Sequence, residues 1–554
     1  MFTKKNELET LNLGIDSYGF CVPTNRLSLS QLAIARGQKK DKYLVGLGLK
    51  EMAVPDFNQD STSMSIEAGY NTLRRGNITP NDVDCVIVGT ETKAYAVKPD
   101  ASAVLGALGI NSNCHIFDID SACSAMTEGV LSALGMINLG MINNALVIGS
   151  DIAKYDLWSP GEPTQGAGAI GVFIKENPRI ARFVSKNGRL ASAKFAENTH
   201  DFLRLNGKET ATVFGDYSEE CYLRAQKVVF NRLCKLLEIP FNSFDLEARH
   251  APFSKLPIKA FADIHICHWI HPDNGERLED FLQTPIDTAI PTEHIIKGWS
   301  YLHSNIISLL QDKGFSDEDI HHINSAMKIR VDKKIKSGLT IPRMFGNMYS
   351  ASVWAEFCYT LETAAKPNDL VYVGSYGSGA NCIGLALKLN ESMNSLNKIS
   401  PSISENITEK REITVSQYEE LRRGTNPFSN EIHWGAIKPK EGSENTGLEL
   451  YLCTQCGMAL PKTKELRYCP REHKKDSESN IPEVSSVFFP EQAIFVSNDN
   501  PIPLNPGLTM ANYKLVQIQG NPKPGDELKM SVRKHTFEDG IMLWYPIYIK
   551  PQNK

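Results

Sequence analysis

The chain has 554 residues, of which 42% are hydrophobic and 22% charged, and this balance excludes a largely disordered, collagen-like or coiled-coil protein. Its 59 Lys and Arg against 64 Asp and Glu give a net charge of −5, which argues against a non-specific nucleic-acid binder. Twelve cysteines are too sparse for a disulfide scaffold, and the length predicts more than one domain.

The N-terminal residues MFTKKNELET are polar and lack the apolar segment of a secretory signal, so we expect a cytoplasmic protein. The uncharged stretch 129–150 is long enough to span a bilayer. Its asparagines and glycines instead favour a helix over LSALGMI followed by a strand over NALVIGS. We therefore expect the buried centre of an α/β domain and no membrane contact.

Residues 11–175 alternate short apolar runs with helical patterns. The apolar runs lie at 84–90, 114–120 and 145–151, and a helical pattern covers 124–138. Such alternation predicts a buried, mainly parallel sheet covered by helices.

A second alternating region covers 215–395. It contains a long helical pattern at 217–238 and an apolar strand at 370–377, which a glycine-rich turn follows. Two α/β halves in series indicate an internal duplication.

These patterns divide the chain into three predicted domains. The first α/β half covers 12–175, and the second covers 176–430 with an insertion near 260–335. Within it, the Ser-, Asn-, Lys- and Glu-rich residues 390–412 are expected to form a connecting segment or an exposed hairpin. The sequence pattern changes after about residue 448, where strong helical periodicity is lost. Residues 448–552 are therefore expected to form a small all-β domain.

Cys123 stands in DIDSACSAMTEG, after an apolar strand and at the start of a predicted helix. The field of the helix N-terminus would lower the thiol pKa and favour the nucleophilic thiolate. The small neighbouring residues would let a substrate approach closely. The alternative is a buried structural cysteine, which is the commoner case.

Two further segments carry candidate acid–base and anion-binding groups. Glu91 follows the strand at 84–90, where open α/β sheets build their sites, and could act as a general base or be an exposed loop glutamate. His250, in HAPFSK, could polarise a carbonyl group or transfer a proton. Lys255 and Lys259 could hold an anionic phosphate chain, or the segment could be a capped helix start with a solvated face.

Two short motifs could contact a carbonyl oxygen. Asn347 in GNMYSAS could donate to an oxyanion, and the backbone N–H groups around Ser378 in GSYGSGA could face a thioester. The second motif lacks the spacing of a dinucleotide-binding fingerprint. Taken alone, each motif could equally be an ordinary turn.

Together these segments resemble the 3-hydroxy-3-methylglutaryl-CoA (HMG-CoA) synthases of the thiolase superfamily over roughly residues 12–430. The similarity starts at LGIDSYGFCVP and continues through KEMAVPDFNQDS, GTE, SACSAMTEG, SDIAKYDLWSPGEPTQGAGA, HAPFSK, GNMYSAS and SYGSG. GEPTQGAGA is similar to the bacterial and archaeal members, whereas the long interval from Lys255 to Asn347 is more like the extended eukaryotic-type enzymes. The resemblance implies an α/β fold with a thiolase-like, duplicated αβαβα core.

The resemblance also implies a reaction. Cys123 would be acylated by acetyl-CoA, Glu91 would take a proton from the acetyl-enzyme methyl group, and His250 would bind acetoacetyl-CoA and help polarise its ketone. Water would then hydrolyse the enzyme thioester to give HMG-CoA and CoA, with no catalytic cofactor. Phe214 departs from the acidic residue that the family usually has in the segment VFGDYSEECY. Seven residues match substrate-binding positions of the family: Tyr155, Thr164, Ser218, Lys255, Lys259, Asn347 and Ser378.

A histidine-rich cluster lies in the insertion. His265, Cys267, His268 and His271, in HICHWIH, are of the types that bind metals. Their spacing fits no standard zinc pattern, so an ordinary helix or strand is the favoured interpretation.

The C-terminal domain carries its own metal-like signature. Cys453 and Cys456 form a Cys-x2-Cys pair, Cys469 follows after twelve residues, and His473 stands four positions further on. This pattern predicts a zinc ribbon with a Cys3His site and a structural Zn²⁺, or a ribbon that has lost its metal.

The segment that ends in GDELKMSVRKHTFEDGIMLWYPIYI resembles the zinc-ribbon/OB-fold proteins that accompany thiolases and HMG-CoA synthases in archaea. The resemblance implies an OB-fold module that bridges to an acetoacetyl-CoA thiolase. OB folds elsewhere bind nucleic acids, but the few aromatic residues and mixed charges of this tail disfavour that role.

The favoured interpretation is therefore a cytoplasmic, homodimeric HMG-CoA synthase of the mevalonate route. One alternative is a polyketide β-branching synthase that acts on carrier-protein-bound β-ketoacyl chains. Another is a different thiolase-superfamily acyltransferase, against which Glu91 and the GEPTQGAGA motif argue. A third is a non-catalytic scaffold, against which the joint presence of Cys123, Glu91 and His250 argues.

Overall fold

The computed structural model describes residues 3–270, 276–286, 301–395, 401–425 and 427, and from residue 449 onward residue 526 and the strands given below. The core strands are β1 (Thr10–Cys21), β2 (Asn25–Ser28), β3 (Glu51–Val54), β4 (Cys85–Gly89), β5 (His115–Ile119), β6 (Asn144–Ile152), β7 (Ala167–Glu176), β8 (Ala181–Lys186), β9 (Arg189–Leu190), β10 (Ser192–Ala196), β11 (Phe202–Leu203), β12 (Thr212–Val213), β13 (Leu246–Arg249), β14 (Leu370–Gly377), β15 (Asn381–Leu389) and β16 (Arg411–Ile413).

The described α-helices all lie before residue 423. They are α1 (Leu29–Ala35), α2 (Ser61–Gly76), α3 (Asp100–Leu108), α4 (Ala125–Asn138), α5 (Gly215–Leu237), α6 (Lys255–Ile270), α7 (Ser304–Asp312), α8 (Asp317–Lys334), α9 (Thr340–Phe345), α10 (Ser352–Thr363), α11 (Ile403–Thr408) and α12 (Val415–Arg422).

One large sheet of eleven strands runs through the core and repeats the same pairing in its two halves. In the first half, β1 pairs antiparallel with β7, β7 antiparallel with β6, and β6 parallel with β4, to which β5 adds at the edge. In the second half, β8 pairs antiparallel with β15, β15 antiparallel with β14, and β14 parallel with β13. Because β1 also pairs with β8, the two halves share one sheet. The duplicated α/β core predicted from the sequence is confirmed. The prediction of a mainly parallel sheet is wrong, because among the described strands of this sheet only β4 with β5, β4 with β6, and β13 with β14 pair in parallel.

The strands with two buried faces are continuous apolar runs, as sheets covered by helices require. Every residue of β4 and β14 is buried. Helices α4 and α10, one from each half, pack in the largest hydrophobic cluster. The Trp354 indole N–H of α10 donates to Thr127 Oγ1 of α4 at 3.0 Å, which ties the two halves together.

The uncharged stretch 129–150 forms the end of α4 and most of β6, as predicted. Within the residues that the structure describes, no helix is long and apolar enough to cross a bilayer.

The segment 390–412 is not a simple connector or an exposed hairpin. Its described part contains α11 and the start of β16, which pairs parallel with β2, so that Arg411 lies opposite Asn25. Ile403 and Ile413 are buried, and this burial orders a polar-looking segment. The pairing partner lies far away in the sequence, so local composition did not indicate it.

The histidine-rich cluster lies on α6 and forms ordinary packing contacts. Cys267 Sγ accepts from Lys227 Nζ at 2.8 Å, and His268 Nε2 lies 3.0 Å from Asn231 Oδ1. His265 is buried among aromatic rings. His271 lies outside the described residues, and the described residues hold no group of His, Cys, Asp and Glu with the arrangement of a metal site.

The region after residue 448 is built of strands in its described part. Strands β17 (Glu449–Cys453), β18 (Met458–Pro461), β19 (Val484–Phe488) and β22 (Thr509–Met510) form one sheet, and β20 (Gln492–Ser497), β21 (Asn500–Pro503), β23 (Gln517–Gln519), β24 (Glu527–Thr536) and β25 (Met542–Ile549) form another. Cys456, Cys469 and His473 lie outside the described residues, and so does the side chain of Cys453 at the end of β17.

Candidate active site

The ends of three neighbouring parallel strands bring the first candidate residues together. Glu91 follows β4, Cys123 follows β5, and Asp151 lies near the end of β6. Because these strands are parallel neighbours, their carboxyl ends meet at one edge of the sheet. Cys123 Sγ lies 3.4 Å from Glu91 Oε1, within reach of a thiol-to-carboxylate hydrogen bond.

Asp151 organises this edge, although the sequence analysis did not identify it. Its Oδ1 accepts from the Glu91 backbone N–H at 2.9 Å and from two threonine hydroxyls of the same turn. Its Oδ2 accepts from the backbone N–H and the hydroxyl of Ser350, at 3.0 and 2.6 Å. Ser350 belongs to the GNMYSAS motif, so this buried carboxylate joins two motifs that lie far apart in the sequence.

The electrostatics of the Cys123–Glu91 pair oppose ionisation. Burial, followed by the negative charge of Asp151, raises the pKa of Glu91 to about 8. Burial, followed by the charge of Glu91, raises the pKa of the Cys123 thiol well above its ordinary value.

The prediction of a lowered thiol pKa is therefore wrong for the free protein. Helix α4 does begin two residues after Cys123, as the sequence suggested. The partial charge of a helix end is only about half an elementary charge, however, and it does not outweigh burial next to a full carboxylate. In the free protein the thiol therefore keeps its proton and points it at Glu91 Oε1.

His250 follows β13 and is held by its backbone. Its N–H donates to the Gly374 carbonyl at 2.9 Å, and its carbonyl accepts from the Tyr222 hydroxyl at 2.7 Å. Burial lowers the pKa of the imidazole to about 3, so the ring is neutral near pH 7. Its buried Nδ1 has no hydrogen-bond partner within the described residues.

The turn between β14 and β15 contacts the Cys123 loop directly. Gly377 lies so close to this loop that a Cβ there would stand 2.7 Å from the Ser121 carbonyl oxygen. Asn381 Nδ2 donates to Ser124 Oγ at 3.2 Å and to Glu128 Oε1 at 2.7 Å. Ser378 is half-buried in this turn. Strand β14 thus runs from the residue that holds His250 to the turn beside Cys123.

A second buried carboxylate, Asp201, places Ser218 against the same turn. Its Oδ2 accepts from the hydroxyls of Ser218 at 3.3 Å and Tyr376 at 2.9 Å. Its Oδ1 accepts from the backbone N–H of Gly379, next to Ser378, at 3.2 Å. Asp201 was also missed, because its partners come from three distant segments.

Tyr155, Thr164 and Asn347 lie together beside the cysteine. The Asn347 backbone N–H donates to the Thr164 carbonyl at 3.1 Å. Asn347 Oδ1 accepts from the Tyr349 backbone N–H, and this bond fixes the orientation of the amide. Burial raises the pKa of Tyr155, and the nearby Cys123 thiol contributes in the same direction.

The two lysines of α6 differ in their surroundings. Lys259 Nζ forms an ion pair with Glu219 at 2.6 and 2.8 Å, both half-exposed. Burial, with a smaller contribution from Lys259, lowers the pKa of Lys255. Arg204, which the sequence analysis did not single out, donates from its guanidinium to the Glu91 backbone carbonyl.

Two family models match the chain. The model for the N-terminal part of hydroxymethylglutaryl-coenzyme A synthase matches residues 10–178, and the model for the C-terminal part matches residues 188–433, which together is well over half of the chain.

Curated relatives carry the same description. The chain is 26% identical over 412 residues to the hydroxymethylglutaryl-CoA synthase of Archaeoglobus fulgidus, covering 74% of this chain and 98% of that protein. It is 32% identical over 250 residues to the enzyme of Enterococcus faecalis, covering 45% of this chain and 63% of that protein.

Solved structures share the fold. An MvaS structure in complex with 3-hydroxy-3-methylglutaryl coenzyme A superposes with a TM-score of 0.60 at 24% identity, covering 78% of this chain and 95% of that one. The HMG synthase of the curacin biosynthetic pathway, in complex with acetyl donor-ACP, gives a TM-score of 0.59 at 19% identity, with coverage of 77% and 93%. These similarities confirm the predicted thiolase-like architecture of the core.

Proposed function

Because this chain belongs to the hydroxymethylglutaryl-CoA synthase family, we propose that it condenses acetyl-CoA with acetoacetyl-CoA and water to form HMG-CoA and CoA. The observation that carries this proposal is the 3.4 Å contact between the Cys123 thiol and the Glu91 carboxylate at the carboxyl ends of β4 and β5. A nucleophile and a base in hydrogen-bond contact are what an acyl transfer followed by carbanion formation requires.

In the first half-reaction, Cys123 Sγ attacks the thioester carbon of acetyl-CoA. The thiol proton passes to Glu91 Oε1 as the new bond forms, because the raised pKa of Glu91 makes it a strong enough base. The proton then leaves with the CoA thiolate as the free thiol. Glu91 is thereby returned to its carboxylate form beside the acetyl-enzyme.

In the second half-reaction, the Glu91 carboxylate takes a proton from the acetyl methyl group. The resulting carbanion attacks the ketone carbon of acetoacetyl-CoA. The new alkoxide takes up the proton that Glu91 removed from the methyl group, which returns Glu91 to the carboxylate. The neutral His250 ring would donate a hydrogen bond to this oxygen, a role that its partnerless Nδ1 supports. Water then hydrolyses the enzyme thioester and regenerates the thiol.

The seven predicted substrate-binding residues divide into three groups in this proposal. Tyr155 and Thr164 would line the acetyl pocket. Ser218, Asn347 and Ser378 would contact the substrate carbonyls. Lys255 and Lys259 would hold the pantetheine phosphate.

The decisive experiment is mass spectrometry of the protein after incubation with acetyl-CoA. An acetyl adduct on Cys123 that disappears when acetoacetyl-CoA is added, with release of HMG-CoA, is the expected result. Cys123→Ala should abolish both the adduct and condensation. Cys358→Ala, at another buried cysteine, is the matched control and should keep both. A folded wild-type protein that forms no adduct would instead support a non-catalytic scaffold.

A carrier-protein acceptor is the second candidate function. Lys259 is already paired with Glu219, which leaves less free positive charge for a CoA phosphate than two unpaired lysines would offer. A structural neighbour of this chain is described in complex with acetyl donor-ACP, in which the carrier protein presents the acetyl donor. An acetyl-enzyme that persists with acetoacetyl-CoA but reacts with a carrier-bound β-ketoacyl chain would favour this alternative.

For the C-terminal region we propose a zinc-ribbon/OB-fold domain at 448–552, after thiolase-like halves at 12–175 and 176–430. Cys453, Cys456, Cys469 and His473 are a donor set that Zn²⁺ prefers. One zinc per chain is expected by elemental analysis, and Cys453→Ser should release it. Zinc-free protein from a metal-replete preparation would contradict this.

We further propose a cytoplasmic homodimer that works in the mevalonate route with an acetoacetyl-CoA thiolase. Strand β5 supports the dimer, because it ends the large sheet and pairs only with β4 among the described strands. Leu139 and Met141, just beyond α4, are 75% and 63% exposed. Sedimentation analysis tests the dimer, and co-purification with the thiolase tests the partner.

A further inference from the structure

The strands β24 and β25 form a hairpin, here called the C-terminal hairpin, that packs on the core. It lies beyond the residues that the two family models match. Five of its side chains share one hydrophobic cluster with buried residues of α2 and α3. These side chains are Leu528, Met530, Val532, Trp544 and Tyr548.

Polar contacts fix the C-terminal hairpin on α2. The Ser531 hydroxyl donates to Glu67 Oε2 at 2.7 Å, about one and a half turns into the helix. The Trp544 indole N–H donates to Asp60, at 3.0 and 3.3 Å from its two oxygens. Asp60 is also the N-cap of α2, because it accepts from the Ser63 backbone N–H at 2.8 Å.

The same hairpin holds the loop that carries Glu91. The Tyr95 hydroxyl donates to the Met542 carbonyl at 3.3 Å and accepts from the Met542 backbone N–H, and its ring meets Trp544 edge-on at 6.2 Å. A second route runs through the start of α2, where Ser61, next to Asp60, donates from its hydroxyl to the Thr92 carbonyl at 2.5 Å. The two attachments lie one and four residues after Glu91.

This loop is also held by the Arg204 guanidinium at the Glu91 carbonyl and by an ion pair of Lys93 with Asp118 at 2.9 Å. It has no regular secondary structure from residue 90 to residue 99, and its tip is exposed, with Val97 at 90%. Asp151 fixes the backbone at Glu91 but makes no hydrogen bond to its carboxylate. The direction of the Glu91 side chain therefore depends on the contacts that hold its own backbone and on where the following residues are held.

We propose that Tyr95 and Trp544 are positioning residues that keep the Glu91 carboxylate in contact with Cys123, so that the C-terminal hairpin is a working part of the catalytic core. This proposal rests on the role given to Glu91 in the proposed function. A shift of about 1 Å in a reacting group is enough to cost on the order of 100-fold in rate, so modest loosening of the loop is measurable.

The test compares conservative variants in the full-length protein. Tyr95→Phe removes both bonds to Met542, and Trp544→Phe removes the bond to Asp60 but keeps an aromatic ring. Ser531→Ala is the matched control, because it breaks a bond between the same hairpin and α2 without touching the Glu91 loop. The measurements are kcat, KM for acetyl-CoA, and the pH profile of condensation.

The two variants of the loop's attachment, Tyr95→Phe and Trp544→Phe, are here called the loop variants. Both should lower kcat by at least about 5-fold with KM nearly unchanged. Both should also move the rising limb of the pH profile, because the surroundings of Glu91 change. Ser531→Ala should keep the wild-type kcat and pH profile, even with a lower melting temperature. Wild-type kinetics in both loop variants, or an equal loss in the control, would overturn the proposal. A wild-type protein that forms no acetyl-enzyme would overturn the proposed function as well.

Discussion

The raised pKa of Glu91 makes a quantitative prediction about the pH dependence of condensation. A carboxyl group with a pKa of about 8 is about 10% ionised at pH 7 and about 90% ionised at pH 9. Only the carboxylate can take a proton from the acetyl methyl group. We therefore expect the rate of condensation to rise roughly tenfold between pH 7 and pH 9.

The assay must separate this step from acylation, because Cys123 also ionises only at high pH. Pre-formed acetyl-enzyme is mixed with acetoacetyl-CoA, and HMG-CoA formed in a single turnover is followed by rapid quench. In the acetyl-enzyme the thiol no longer donates to Glu91, so the hydrogen bond that lowers its pKa is lost while burial remains. The rising limb is therefore expected at pH 8 or above.

Glu91→Gln is the control for background hydrolysis of the thioester and should form no HMG-CoA at any pH. A wild-type condensation rate that falls between pH 7 and pH 9, or that shows no rising limb at any pH, would refute the assignment of Glu91 as the base. A profile with its rising limb near pH 4 would show instead that the carboxylate is solvated during the reaction.

Three further predictions follow from single buried positions. Asp151→Asn replaces a carboxylate that accepts five hydrogen bonds, so we expect denaturation to show a loss of about 2–4 kcal/mol in the free energy of unfolding. The pH profile of condensation in the assay above should also shift to lower pH, because Glu91 loses a negative neighbour. Burial raises the pKa of Asp100 from 3.8 to about 7, so the folded state loses stability as the pH rises between those values. In urea titrations, Asp100→Asn should raise the free energy of unfolding by up to about 4 kcal/mol at pH 8 and by less at pH 5. Gly377→Ala places a Cβ 2.7 Å from the Ser121 carbonyl oxygen, and the displaced cysteine loop should form acetyl-enzyme at least about 10-fold more slowly, by quenched-flow mass spectrometry.

Local sequence was sufficient to predict the elements that carry the site. The apolar runs at 84–90, 114–120 and 370–377 became β4, β5 and β14 almost residue for residue. For β4 and β14 the reason is that a continuous apolar run between turns is the pattern of a strand buried on both faces, whereas β5 is a partly exposed strand at the edge of the sheet. The position of Cys123 before a helix was predicted for the same reason: the change from strand to helix periodicity is local.

The features of the site and fold that the sequence did not predict depend on contacts between distant segments. Nothing around Asp151 indicates that its carboxylate reaches both the Glu91 turn and Ser350, 60 and 199 residues away. The thiol pKa was predicted with the wrong sign because the helix end is visible in the sequence, whereas burial and the Glu91 charge arise only on folding. Strand β16 was missed because its partner β2 lies near the other end of the core.

The C-terminal hairpin also has a consequence for how the chain is made. Helix α2 ends at Gly76, and the strands that cover its apolar face begin only at Glu527. At about 5–20 residues per second, a ribosome needs roughly 20 to 90 seconds to synthesise the residues between them. During that interval the nascent core exposes an apolar patch beside the loop that carries Glu91, because the hairpin that covers the patch is synthesised long after α2. Chains released early by a stop codon before residue 527 would keep that patch uncovered and become targets for chaperones and proteases.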